Sequence, residues 1–256
     1  MPCRAVVTGA TSGLGLLAAE ALAEEGCELL TSARSEGELS RLAADISTRY
    51  GVAVRTLRAD LTMRGDAARV AEEAVSSMGG VEFALMSYGN IPCEPCEPAN
   101  ANWDDWVYAF NMYVASPASF LSALVRRNTT KTTVALVSSF SSRCPMWPTG
   151  VSDVVRASLP ALAKLFSRRY PQRLRVLVVE VGSFRTPGSE RLISSLAQME
   201  GLTPGEFWER RVAGISPLNR LGRPDEFKDL IKWLLKSPEY LTGTSILLDG
   251  GTLGCV

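Results

Sequence analysis

The chain has no histidine among its 256 residues. Histidine is the base of Ser-His-Asp and Cys-His centres and the commonest nitrogen ligand of metals, so those sites are excluded. Lysine is scarce as well: the 27 basic residues comprise five lysines, at 131, 164, 228, 232 and 236, and 22 arginines. Because arginine does not lose its proton in a protein, few basic groups remain that could transfer one.

Neither sign of charge is in excess, because 27 basic and 27 acidic residues cancel. This balance predicts no nucleic-acid partner and no anionic-membrane partner. The longest apolar runs, such as VLVVEV, have the length of strands and are too short to cross a membrane. The N-terminal segment lacks a signal-peptide pattern and leads directly into a predicted strand, which favours a cytoplasmic protein.

Six cysteines occur, at 3, 27, 93, 96, 144 and 255. Only Cys93 and Cys96 form a C-x-x-C pair, in NIPCEPCEP, and without a second pair this spacing is weak evidence for zinc. We therefore predict no metal site and expect thiols that are buried or lie in loops. A disulfide is the alternative.

Short apolar segments alternate with helical segments from RAVVTG to TSILLDGG. This alternation predicts an α/β fold: a single-domain, Rossmann-type, doubly wound parallel sheet of seven strands with helices on both faces. No linker divides the chain, so residues 1–256 are predicted to form one domain. Residues 1–90 would carry the cofactor half and residues 91–256 the active-site and substrate half, with a lid at about 188–215. Two long helices are predicted, at about 103–126 and 153–169.

The first predicted strand runs into TGATSGLG, which precedes an amphipathic helix. Glycines permit a tight turn and a close approach of the backbone to a pyrophosphate, which the positive end of the helix attracts. The spacing G-x-x-x-G-x-G differs from the common G-x-G-x-x-G pattern, but its place between a strand and a helix indicates a dinucleotide site. The contacts predicted in this turn are Gly9, Thr11, Ser12, Gly13, Leu14 and Gly15.

The end of the second strand, TSARSEG, indicates which dinucleotide would bind. An acidic residue there binds the ribose 2′-hydroxyl of NAD, whereas an arginine suits the 2′-phosphate of NADP. No acid precedes Arg34, so NADP is favoured over NAD, although Arg34 could also be an ordinary solvated charge. Asp60 and Leu61, which end the third strand, would lie at the adenine edge of the site in a sheet of order 3-2-1-4-5-6.

These motifs, in order along nearly the whole chain, resemble those of the short-chain dehydrogenases/reductases. TGATSGLG matches that family's T-G-x-x-x-G-x-G, VALVSS its active-site serine strand, and VGSFRTP its P-G-x-x-x-T-P. The resemblance implies hydride transfer between a nicotinamide and a small carbonyl or alcohol. It also implies a homodimer or homotetramer built through the two long helices. The residues that it assigns are Asn111 and Ser139 in the active site, and Gly89, Gly182, Thr186 and Arg156 at the cofactor.

Two departures from the family pattern concern the chemistry. The family's N-N-A-G is here MSYG, which loses the asparagine. The family's tyrosine and lysine correspond to Ser152 and Arg156, in GVSDVVRAS. In the family the tyrosine transfers the proton, while the lysine lowers the tyrosine's pKa and binds the ribose. A serine is a far poorer acid than a phenol of pKa about 10, and it is shorter, so we expect a void beside Ser152. Arg156 could still donate to ribose hydroxyls.

Three hypotheses follow from this altered centre. The first, which we favour, is an NADP(H)-dependent oxidoreductase with an atypical proton relay. The second is a non-catalytic NADP-binding protein, such as a sensor or a partner subunit, and the third is a non-redox enzyme that reuses the cleft. The retained Ser139 and Asn111 favour the first hypothesis, and the lost tyrosine and lysine favour the second. Substitutes for the missing acid would be a water, a group on the substrate, or the side chains of Tyr88, Asp153, Cys93, Cys96 or Cys144.

Overall fold

The computed structural model describes residues 3–254, and within them seven strands form one parallel sheet. Their order across the sheet is β3-β2-β1-β4-β5-β6-β7. The predicted fold class and number of strands are therefore confirmed. In chain order the strands are β1 (Arg4–Thr8), β2 (Glu28–Ala33), β3 (Val54–Arg58), β4 (Phe83–Met86), β5 (Thr132–Ser139), β6 (Leu174–Val181) and β7 (Thr244–Leu248).

Helices cover both faces of this sheet. They are α1 (Gly13–Glu24), α2 (Glu36–Tyr50), α3 (Asp66–Met78), α4 (Trp103–Phe110), α5 (Ser116–Arg127), α6 (Gly150–Arg156), α7 (Leu159–Arg169), α8 (Pro187–Met199), α9 (Pro204–Phe207) and α10 (Pro224–Lys236). Within residues 3–254, none of them combines the length and the apolar composition that crossing a bilayer requires.

Two apolar layers hold the helices to the sheet. One layer joins α1 and α10, through residues such as Leu22 and Phe227, to the strands. The other joins α3, α5 and α7, through residues such as Val70 and Phe120, to the opposite face. All eight residues of β6 are buried, as expected for a parallel strand that is covered on both faces.

Both long helices predicted from the sequence are interrupted. A π-helical turn, Asn111–Ala115, separates α4 from α5, and Pro117 at the start of α5 has no N–H to continue a regular helical ladder. The second helix breaks between α6 and α7, where Pro160 lies in the first turn of α7. Both breaks lie beside the cleft described below.

The predicted lid is a helical segment with its own small core. It contains α8, α9, a π-helical turn at Trp208–Val212 and a 3-10 turn at Ala213–Ile215. Its buried residues are Ile193, Leu196, Ala197, Phe207 and Trp208.

Candidate active site

A cleft of about 1270 Å³ lies at the carboxyl ends of the strands. Strand order reverses between β1 and β4, and ligands of doubly wound sheets bind at such a point. Gly15, Asn111 and Ser152 are not part of the cleft wall: Gly15 lies under the turn, Asn111 starts the π-helical turn, and Ser152 is fully buried. The other predicted site residues line it: Gly9, Thr11, Ser12, Gly13, Leu14, Arg34, Asp60, Leu61, Gly89, Ser139, Arg156, Gly182 and Thr186.

The turn between β1 and α1 has the shape of a pyrophosphate cradle. Gly9 has a φ of +61°, and a Cβ on Gly15 would lie 2.1 Å from the Gly9 carbonyl oxygen, so neither position accepts a side chain. The side chain of Ser12, at the N-cap of α1, makes no hydrogen bond to the first helical turn, which also contains no acidic residue. The backbone N–H groups and positive end of α1 are thus available to an anion. These residues fit a dinucleotide phosphate.

The guanidinium group of Arg34 lines the cleft, and that of Arg58 lies close to the Arg34 backbone. Arg34 follows β2 and is exposed. Arg58 lies on β3 opposite Ala33, and its Nε donates to the Arg34 carbonyl oxygen at 3.1 Å. Sequence reasoning missed Arg58, because only the register of β2 against β3 brings it beside Arg34. Both groups suit a phosphate near the end of β2.

Asp60 also lines the cleft and is held in a local turn. Its Oδ1 accepts hydrogen bonds from the Thr62 backbone N–H at 2.9 Å and from Thr62 Oγ1 at 2.8 Å. Leu61 lies beside Asp60 on the same wall, and their place at the adenine edge stays a prediction.

Ser139 is joined by hydrogen bonds to a buried carboxylate. Its Oγ lies 2.7 Å from Ser141 Oγ, which donates to Asp153 Oδ1 at 2.5 Å. The other carboxylate oxygen of Asp153 accepts from the Met146 N–H at 3.2 Å and from Thr149 Oγ1 at 2.9 Å. Donors therefore occupy both oxygens of Asp153, and this side chain does not reach the cleft wall.

Arg156 presents a fixed positive charge to the cleft. Its Nη2 donates to the Tyr113 hydroxyl oxygen at 2.9 Å, its guanidinium lies 4.7 Å from the centre of that ring, and its Nη1 lies 3.6 Å from Asp153 Oδ1. Burial opposes the charge, but Tyr113, Asp153 and Glu94 together raise the pKa of Arg156. The Tyr113 hydroxyl in turn donates to the Gly89 carbonyl oxygen at 2.7 Å.

The void expected beside Ser152 is filled by Glu94. The Ser152 backbone N–H donates to Glu94 Oε1 at 2.8 Å, and Ser152 Oγ lies 3.0 Å from Glu94 Oε2. Glu94 itself lines the cleft. Burial raises the pKa of the Glu94 carboxyl, and this effect outweighs the lowering by the Ser152 hydrogen bonds and by the charge of Arg156. The expectation of a void was therefore wrong.

The substitutes considered from the sequence are poorly suited to proton transfer. The Tyr88 hydroxyl is buried without a partner among the described residues, and burial followed by the nearby Tyr113 raises its pKa well above 10. Cys93 and Cys96 are free thiols with their sulfurs 3.3 Å apart, and burial, with Cys96 adding to it, raises the pKa of Cys93 to about 12. Cys144 is exposed, and these three cysteines do not line the cleft. Cys255 lies outside the described residues.

Comparison with known proteins identifies the family. Residues 9–252 match the family model described as Enoyl-(Acyl carrier protein) reductase. Dehydrogenase/reductase SDR family member 2, mitochondrial, of Homo sapiens is 26% identical over 250 residues, which cover 96% of this chain and 85% of that protein. The chain belongs to the short-chain dehydrogenases/reductases, a family of oxidoreductases.

Two further proteins extend the comparison. Glucose 1-dehydrogenase of Gluconobacter oxydans is 24% identical over 251 residues, which cover 97% of this chain and 91% of that protein. The crystal structure of L-sorbose reductase from Gluconobacter frateurii, complexed with NADPH and L-sorbose, superposes with a TM-score of 0.91 at 22% identity, covering 100% of this chain and 98% of that one. The second likeness confirms the fold.

The half-buried cation yields a stability prediction. Replacing Arg156 with Met leaves the Asp153 carboxylate buried without its counter-charge, and we expect the free energy of unfolding to fall by about 3 kcal/mol. Arg156→Lys should cost less because it keeps the charge. Urea denaturation followed by circular dichroism measures both. Arg126→Met, at a position in the last turn of α5, is the control, and equal stability of the two Met variants would contradict this account.

Proposed function

We propose that this chain is an NADP(H)-dependent short-chain dehydrogenase/reductase that transfers a hydride to or from a small carbonyl or alcohol, with a proton relay that differs from the family's tyrosine and lysine. One observation carries the proposal: the glycine turn, Arg34, Ser139 and Arg156 line a single cleft. A phosphate cradle and a substrate-facing hydroxyl on the same wall are what hydride transfer to a bound carbonyl requires.

Each part of the cleft has a role in this proposal. The N–H groups at the start of α1 would bind the pyrophosphate, Arg34 and Arg58 the 2′-phosphate, and Arg156 the ribose hydroxyls. The nicotinamide, when bound, supplies or accepts the hydride. Ser139 would face the substrate oxygen. Because Ser141 gives its own proton to Asp153, the Ser139 hydroxyl donates to Ser141 Oγ, and a hydrogen bond to the substrate would take the place of that contact. The remaining cleft residues at the cofactor would be Asp60, Leu61, Gly89, Gly182 and Thr186.

The choice of NADP over NAD has two supports. No carboxylate ends β2, and Arg34 and Arg58 would attract a 2′-phosphate there. L-sorbose reductase and a variant of actinorhodin polyketide ketoreductase, the latter at a TM-score of 0.88, were both solved with NADPH. The cytoplasmic location stays a prediction.

The proposal is tested by binding and turnover together. NADPH and NADH are titrated against the wild type by quenching of tryptophan fluorescence. Turnover is then measured at 340 nm with L-sorbose and benzaldehyde in reduction and with D-glucose in oxidation. We expect NADPH to bind more tightly than NADH and at least one substrate to react. Tight NADPH binding without any turnover would favour the non-catalytic alternative, and failure to bind either dinucleotide would contradict both.

The 2′-phosphate assignment gives a mutational prediction. Arg34→Ala removes charge-assisted hydrogen bonds worth about 1.5–3 kcal/mol, so NADPH affinity should fall about 10- to 150-fold. NADH affinity should change less than about threefold, because NADH has no 2′-phosphate. Arg41→Ala, an exposed arginine on α2, is the matched control and should leave both affinities unchanged. Equal losses for NADPH and NADH in Arg34→Ala would contradict the assignment.

We also propose that the chain forms a homodimer or homotetramer through the helices that follow β4 and β5. Trp103, Val107 and Phe110 share one face of α4 and are 80%, 38% and 52% exposed. Val154 on α6 and Leu165 on α7 are exposed as well. An exposed apolar face of this kind is stabilised when a second copy of the chain covers it and removes it from water.

The assembly proposal is tested by charge insertion. The Trp103→Glu/Phe110→Glu double variant would bury two carboxylates in the interface, so we expect a monomer at micromolar concentration where the wild type is larger. Size-exclusion chromatography with light scattering gives the mass. Trp233→Glu, at a 48% exposed tryptophan on α10, is the control and should keep the wild-type mass. A wild-type monomer would refute the proposal.

A further inference from the structure

The loop between β4 and α4 places a carboxyl group beside Ser152, the position that the resemblance aligns with the family's tyrosine. Glu94 lies 58 residues from Ser152 in sequence, yet both of its oxygens lie within hydrogen-bonding distance of that residue. The loop also carries Ile91, which is 1% exposed and anchors it in a small apolar cluster with Met112 and Val151. Glu94 is therefore seated on the cleft wall, where it is accessible from the cleft.

Ser152 can hold Glu94 in either protonation state. Ser152 Oγ lies 3.0 Å from Glu94 Oε2 and 3.0 Å from the Thr149 carbonyl oxygen. When Glu94 is ionised, the serine hydroxyl donates to Oε2. When Oε2 carries a proton, it can donate to Ser152 Oγ, which then donates to Thr149. Oε1 accepts from the fixed Ser152 N–H in both cases, so Oε2 is the oxygen that gains and loses the proton.

We propose that Glu94 is the general acid and base of this enzyme, with Ser152 as its positioning residue; the inference rests on the proposed function. In reduction, the carbonyl carbon accepts a hydride from the reduced nicotinamide dinucleotide, and a C–H bond forms. The O–H bond of Glu94 breaks, and its proton bonds to the carbonyl oxygen. The products are an alcohol, the oxidised dinucleotide and the Glu94 carboxylate, which then takes up a proton from hydronium or a buffer acid in the solvent. Oxidation of an alcohol reverses each of these transfers.

The charges around Glu94 suit this role. Arg156, on α6, favours the carboxylate, whereas Asp153, also on α6, favours the acid. Tyr113, on the π-helical turn, is uncharged, because burial raises the pKa of its hydroxyl. Burial of Glu94 outweighs the favourable contacts and moves its pKa upward, toward the range in which an acid can act at neutral pH.

Asp153 is the competing candidate. It reaches Ser139 through Ser141, but it lies behind the cleft wall beside Arg156, and donors already hold both of its oxygens. Glu94 can reach the cleft directly and has an oxygen whose partner can change. We therefore assign the proton transfer to Glu94 and treat Asp153 as an outcome of the test.

The test compares Glu94→Gln with Glu97→Gln. Glu97 lies three residues along the same loop, is exposed and does not line the cleft. With a substrate found among L-sorbose, benzaldehyde and D-glucose, we expect Glu94→Gln to lower kcat about 10²- to 10⁴-fold, and Glu97→Gln to leave it unchanged. NADPH affinity and thermal midpoint should stay near wild type in both. Glu94→Asp should recover part of the rate.

The pH profile supplies a readout that a purely structural role would not change. Because the acid must be protonated, wild-type kcat/KM for reduction should fall as pH rises through the pKa of Glu94, and for oxidation it should rise. In Glu94→Gln this pH-dependent limb of the kcat/KM profile should be absent. Ser152→Ala removes a hydrogen bond that lowers the pKa of Glu94, so its limb should move to higher pH. A limb unmoved in Ser152→Ala would contradict the positioning role.

A second measurement needs no turnover. Protein labelled with carbon-13 at the glutamate carboxyl groups is titrated by NMR, and the Glu94 signal is assigned by its absence in Glu94→Gln. We expect it to titrate above 4.5, the ordinary value for the pKa of a glutamate, and to move higher in Ser152→Ala. Titration at or below 4.5 would overturn the proposal.

The outcomes separate this inference from the function on which it rests. If the wild type and Glu94→Gln turn over a substrate at rates within about threefold of each other, the loss expected of a missing acid is absent. The role of Glu94 is then refuted, while the proposed oxidoreductase activity is retained. If Asp153→Asn loses the pH limb and Glu94→Gln keeps it, the acid lies on the path through Ser139 and Ser141, and our assignment is wrong. If NADPH binds but no substrate reacts, the proposed function itself fails.

Discussion

The inner wall of the cleft depends on the half-buried guanidinium of Arg156. A carboxylate such as Asp153 is costly to bury unless a cation and several donors compensate it, and Arg156 supplies that cation at 3.6 Å. Through Tyr113 the same group is linked to the backbone of Gly89, which also lines the cleft. An arginine serves two partners at once because its nitrogens form a planar fork, whereas a lysine offers one point charge. An arginine at this position therefore suits a site in which both Asp153 and Glu94 lie close to it.

Much of the fold could be predicted from the sequence because its signals are local. Strand-length apolar runs such as VLVVEV and the glycine turn after β1 each specify a structure within about eight residues. The breaks at Asn111–Ala115 and after Arg156 could not be predicted in the same way. Their apolar pattern continues through both, and only Pro117 and Pro160, each in the first turn of the following helix, mark where the backbone departs from a regular helix.

In the candidate site, too, the residues that could be predicted are those with a local signal in the sequence. Residues at strand ends, such as Arg34, Asp60 and Ser139, could be placed because the carboxyl ends of parallel strands meet at one edge. Glu94 could not be placed, since it lies in an irregular loop between two prolines and meets Ser152 across 58 residues. Arg58 needed the register of β2 and β3. Contacts of this kind come from tertiary structure and leave no periodic signal in the sequence.

Ser152 and Arg156, which the resemblance to the family aligns with its tyrosine and lysine, are best understood together with Glu94. A tyrosine at 152 would require the space that the Glu94 carboxyl now occupies, so the serine and the loop glutamate are complementary in volume. The Ser152 hydroxyl and backbone N–H both hydrogen-bond to the Glu94 carboxyl group. Arg156 in turn balances the additional negative charge of Glu94 and Asp153. In the proposed role, the loop between β4 and α4 thus supplies the group that transfers the proton, while α6 supplies the cation beside it.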